Sequence, residues 1–173
     1  MVSENDKHGA RPRAEGESRS LSARGMARLA AVQALYQMDV AHTDARVVIE
    51  EFIRHRFHGE AEKAYYDRTD EEFFSDLVLG VVGKQRDVDP LIGVHLAKGW
   101  RLARIDSILR AILRAATYEL QEREDVPAKV IINEYVDIAH AFFGGEEPGV
   151  VNGILDAVAR EVRSGEIKDA AHG

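Results

Sequence analysis

The stretch VPAKVIINEYVDIAHAFFGGEEPGVVNGILDAVARE, residues 126–161, decides the fold class. Pro127 and Pro148 each stand just ahead of an apolar run, where a helix has no use for the missing amide hydrogen. After Pro127, Val130, Ile131, Tyr135, Ile138, Ala139 and Phe142 follow helical spacing. Gly144-Gly145 stops that run as a C-cap. Val151, Ile154, Leu155, Val158 and Val162 restore the period beyond Pro148. Two helices joined by a short turn are predicted. Val130-Ile131-Ile132 is strand-like but too short to override the surrounding period.

The same period runs upstream. One helix is predicted over about Asp106 to Arg123, with Ile108, Leu109, Ile112, Ala115, Ala116 and Leu120 inward. Asp89-Pro90 reads as a cap followed by a first-position proline, opening a helix to about Lys98. Another starts at Thr69, which forms a capping box with Glu72. There Gly80 and Gly83 are explained by close helix packing, as is Gly153 later in the chain. A further helix covers about Ala45 to Arg56, and the first runs from a Ser22 cap to Val40. The result is an all-α fold of about seven helices in one domain over 22–165. A division near residues 83–89 would separate subdomains of about 22–86 and 87–165. Residues 1–21 are polar and aperiodic and predict a disordered tail, and 166–173 predict a frayed end.

The chain has 173 residues, 45% of them hydrophobic, and a formal net charge of −7. Its average surface repels nucleic acid, so any nucleic-acid site must be a local patch. The absence of cysteine excludes disulfides, thiolate zinc sites and cysteine catalysis. No apolar run approaches a membrane span, and no apolar signal segment opens the chain. A soluble, cytoplasmic protein is expected. Phosphate-binding glycine loops and nucleophile elbows are missing. His55 and His58 have ligand-like spacing but no further ligand pattern, so neither metal nor cofactor is expected. Glu146-Glu147 and similar pairs read as solvated charge. No catalytic constellation emerges, and the chain reads as a non-enzyme.

One segment departs from the acidic average. SRSLSARGMARLAAVQALYQM, residues 18–38, holds Arg19, Arg24 and Arg28 and no acid. Arg24 and Arg28 are four apart and share a side of the first helix, and Arg19 reaches in from the tail. Together they would grip a phosphate backbone, with Gln33 and Tyr36 near bases or a partner. On charge alone, ordinary solvated arginine is the simpler account.

The four strings ARLAAVQALYQ, RAILRAATYEL, VPAKVIINEYVDIA and VVNGILDAVA, in that order and spacing, resemble the NusB transcription antitermination factor family over nearly all of residues 22–163. The resemblance implies two small helical bundles. It implies binding to the boxA element of ribosomal RNA transcripts, as a heterodimer with NusE, a small-subunit ribosomal protein. It further implies assembly with NusA, NusG and RNA polymerase. On its residues, Arg19, Arg24, Arg28, Gln33, Tyr36 and Lys129 would face RNA, and Tyr36, Leu109, Glu146 and Val150 would face the partner. This chain has Gly25-Met26 where many relatives have more arginines, and Val150 where an aromatic is frequent. Leu109 stands at an acidic partner-facing position. Two other readings stay open: a helical protein-interaction module without RNA, and an accessory domain to a ribosomal RNA methyltransferase. A homodimer is also open.

Overall fold

The computed structural model describes residues 21–59 and 69–171, which form seven α-helices and no strand. They are α1 (Ala23–Ala41), α2 (Ala45–Glu51), α3 (Glu71–Gly93), α4 (Ser107–Glu122), α5 (Ala128–Phe142), α6 (Glu147–Val162) and α7 (Ser164–Ala171). A π-helical turn, Phe52–Phe57, extends α2, and a 3-10 turn, Leu102–Arg104, precedes α4.

Helix α4 is the axis of the assembly. Every residue from Ala115 to Leu120 is buried, including Thr117 and Glu119. Helices α1 and α3 pack on one side of it, α5 and α6 on another. Ala27, Ala30, Ala31 and Ala34 give α1 a fully buried small-residue face, which lets its neighbours approach closely. Short side chains also end the helices. Ser22 accepts from the Gly25 amide at 2.9 Å, and Asp106 accepts from those of Ile108 and Leu109.

The structure corrects several element boundaries. Asp70, not Thr69, caps α3, accepting from the Phe73 amide at 3.0 Å. Asp89-Pro90 opens no helix, because α3 runs through Pro90 to Gly93. The Asp89 carboxylate that would cap a new helix is taken by two hydrogen bonds from Arg114. Pro90 itself is exposed, and only one further turn follows it, so little helix is lost to its missing amide. The segment 83–89 therefore lies within one continuous helix. Gly80 faces the Tyr118 ring, as close packing requires, but an added Cβ at Gly83 or Gly153 would meet nothing within 4 Å. Helix α5 ends with Phe143 extended rather than on a left-handed glycine.

Residues Ser164–Ala171 form α7, although a frayed end was expected over 166–173. Arg163 explains this. Its guanidinium donates to the carbonyls of Glu119, Leu120, Arg123 and Val126, and to the Glu166 carboxylate. Those carbonyls close α4 and the turn after it, where helical amides run out, although Glu119 and Arg123 also accept from the Arg123 and Val126 amides. Glu166 in turn accepts from the Ala128 amide, at the start of α5, at 2.7 Å.

Candidate RNA and partner surface

Helix α1 carries the expected RNA edge, and the structure divides it. Arg24 is partly exposed at the N-terminal end. Its Nη1 lies 3.4 Å from an Asp125 oxygen and its Nε 3.9 Å from an Asp70 oxygen. Its guanidinium stacks 4.6 Å from the centre of the Phe73 ring. Arg123 and Arg28 lie over the same ring at 5.0 Å.

Arg28 is no surface residue, although the sequence placed it beside Arg24. It is 3% exposed and donates twice, at 2.9 Å each, to the Glu119 carboxylate, which is fully buried. Tyr135, also buried, donates its hydroxyl to the same carboxylate. A residue four positions on is only partly on the same side of a helix, and here α1 turns Arg28 under α4 and α5. Burial alone would pull the Arg28 guanidinium down. The hydrogen bond and charge of Glu119 outweigh it and leave Arg28 above its ordinary value. Burial, then the Glu119 charge, pushes the Tyr135 phenol well up, so it stays a donor. The pattern had a legible signal: Arg28 falls in the stripe of Ala31, Val32 and Leu35, and Glu119 among residues buried on every side.

Gly25 and Met26, where the family resemblance implied a denser arginine run, face inward. Met26 is 5% exposed, and a Cβ on Gly25 would come within 3.1 Å of the Ser22 hydroxyl. Gln33 is half-buried and accepts from Arg56 at 3.3 Å. Tyr36 is exposed, and so is Lys129 in the first turn of α5. Arg19 lies outside the described residues.

Of the expected partner residues, Tyr36 lies on α1, Leu109 in the first turn of α4, and Glu146 and Val150 at the start of α6. Leu109 is 4% exposed, so it is not itself a protruding contact. It instead lines an open groove of about 440 Å³, together with Phe143, Ile105 and Trp100. Glu146 is exposed, and Val150 is half-buried on the first turns of α6. The groove residue from the acidic pair is Glu147, which sequence reasoning treated as solvated charge. Its Oε2 is buried without a hydrogen-bond partner among the described residues. Trp100 and Phe143 were likewise missed, since neither sits within a periodic helical run. Among the described residues no cluster of three or more His, Asp or Glu side chains is arranged to hold a metal ion, and no helix is long and apolar enough to cross a membrane.

Comparison with known proteins bears on the whole arrangement. The family model described as NusB family matches residues 26–160. The transcription antitermination protein NusB of Rhodopseudomonas palustris (strain BisB18) is 53% identical over 156 residues, covering 90% of this chain and 92% of its own. That of Rhizobium meliloti (strain 1021) is 51% identical over 150 residues, covering 87% and 94%. Among solved structures, T. maritima NusB superimposes with a TM-score of 0.70 at 29% identity, over 84% of this chain and 96% of its own. The antitermination factor NusB solved with NusE and double-stranded RNA shares the fold at 22% identity, with a TM-score of 0.66 over 80% and 97%. A seven-helix fold organised on α4 and matches that run nearly end to end lead to one conclusion: the chain belongs to the NusB family.

Proposed function

We propose that this chain is an RNA-binding transcription antitermination factor without catalytic activity. It binds the boxA element of ribosomal RNA transcripts together with NusE, and the pair joins NusA, NusG and RNA polymerase. The observation that carries this reading is the 53% identity, over 92% of its length, to a relative named for transcription antitermination. The geometry supports a division of labour. Arg24, partly exposed, and Lys129, exposed, supply cations where α1 begins and α5 begins, and Arg19 would add to them from the tail. Tyr36 and Gln33 lie further along α1. The groove over Leu109, with Glu146, Glu147 and Val150 at the start of α6, takes the protein partner.

Arg24 is already paired with acids, so RNA must displace Asp125 and Asp70 to claim it. That makes the chain alone a weak RNA binder and gives NusE an essential share of the affinity. The test is a boxA titration followed by fluorescence anisotropy, with and without NusE, against a scrambled RNA. Preference for boxA that grows with NusE is expected. Equal binding of both RNAs by the pair would overturn the reading.

A further inference from the structure

Among the described residues, many of the arginines on and around α1 and α4 are already paired. Arg24, Arg28, Arg110, Arg114, Arg123 and Arg163 are all tied to carboxylates. By contrast Lys98, Arg101 and Arg104 are exposed, and their side chains make no hydrogen bond or ion pair among the described residues. These three cations fall within seven residues, KGWRLAR, that contain no acid. Between them Trp100 stands 49% exposed. Gly99, at φ +87°, takes a left-handed turn just before the indole, and the 3-10 turn brings Arg101 and Arg104 to one side. Trp100, Arg101 and Arg104 line the rim of the groove over Leu109.

An open indole flanked by unpaired cations has the chemistry of a single-stranded nucleic-acid contact. The ring stacks a base and the cations neutralise the phosphates beside it. Two acids reach the same groove. Asp106 is occupied by the Ile108 and Leu109 amides, and Glu147 lies at the α6 side. Neither pairs with Arg101 or Arg104.

We infer that Trp100, with Lys98, Arg101 and Arg104, forms a second contact for single-stranded RNA, separate from the α1 edge. The inference rests on the proposed function, because it extends the path of the same RNA. The separation is measurable on α1. Arg24 pairs with Asp125, after α4 ends, whereas Asp39 pairs with Arg110, as α4 begins. Arg110 also donates to the carbonyls of Leu102 and Ile105. Fifteen residues of helix between Arg24 and Asp39 span roughly 22 Å. An RNA strand held at both places runs the length of α1, and the groove floor remains for the partner.

Trp100 is the only tryptophan in the chain, so its emission reports this site directly. The full-length chain with NusE should be titrated with unlabelled single-stranded boxA RNA. Saturable quenching of Trp100 is expected, measured against NusE without RNA. Trp100→Leu should weaken RNA about tenfold and Trp100→Phe much less, since a phenyl ring still stacks. Arg101→Ala with Arg104→Ala should lower the slope of log affinity against log salt by about 1.4, at roughly 0.7 per phosphate contact on a single strand. Unmoved Trp100 emission and an unchanged slope, with Arg24→Ala still weakening RNA, would refute this contact and spare the proposed function. Loss of RNA binding preference in the unaltered pair would instead strike the proposed function. If these variants weaken NusE and leave RNA affinity untouched, the patch is a protein-docking surface and the inference falls.

Discussion

Arg28 and Glu119 form a two-pronged ion pair in the core, with both N–O distances at 2.9 Å and Tyr135 donating to the same carboxylate. This contact ties α1 to α4 and α5. It turns an arginine that looks like part of an RNA-binding row into an internal strut.

Arg28→Ala should therefore cost stability rather than affinity. Removing one member of a buried pair leaves the other charge unpaired, at about 3–5 kcal/mol. A large fall in the urea midpoint checks this. RNA affinity of the folded fraction should hardly change. Arg28→Met with Glu119→Leu should recover much of the loss, because two apolar side chains leave no charge behind.

Arg24→Ala should do the reverse. Its ion pairs are partly exposed, and such pairs contribute at most about 1 kcal/mol. Its RNA contact should still be measurable, as a fall of about 0.7 in the salt slope. Asp125→Asn should tighten RNA binding at low salt by freeing Arg24, and the gain should fade as salt screens the pair.

Gly80→Ala should destabilise the fold despite alanine's better helix propensity. A Cβ there would lie 2.1 Å from the Tyr118 ring, whose hydroxyl donates to Asp76 at 2.9 Å. The ring is held at both ends and cannot swing aside cheaply. A lower thermal midpoint is expected, where propensity alone would raise stability by about 1 kcal/mol.

Tyr118 also gives a pH signature. Burial, then its hydrogen bond to Asp76, pushes the phenol up to about 12. The folded state thus holds this proton more tightly than the unfolded chain does. The resulting stability is complete below the ordinary tyrosine range near about 10 and is lost as pH rises toward about 12. The difference in urea midpoint between the native chain and Tyr118→Phe should shrink across that window.

Arg163→Ala should unfold α7 and loosen the turn before Lys129. Four backbone carbonyls and Glu166 would each lose a hydrogen bond at once. Rapid amide hydrogen exchange in α7 and at Ala128 checks this. Arg163→Lys should rescue only part, since one ammonium cannot reach both ends of the guanidinium fork.

Sequence periodicity by itself determined the all-α class and most helix positions, while the family resemblance rested on four motif strings in order and spacing. Spacing of apolar residues at three and four is a local property, set by the turn of the helix. The cap at Ser22 was legible for the same reason, since the bonded amide lies three residues away. Only the tertiary structure decided which charges are available. Arg28 and Glu119 are 91 residues apart, and Asp89 is claimed by Arg114, 25 residues on. No local pattern reports such pairings, because an ion pair depends on which helices meet. The same holds for the groove over Leu109 and for Trp100: a surface comes into being only when α4, α5 and α6 close around a shared core.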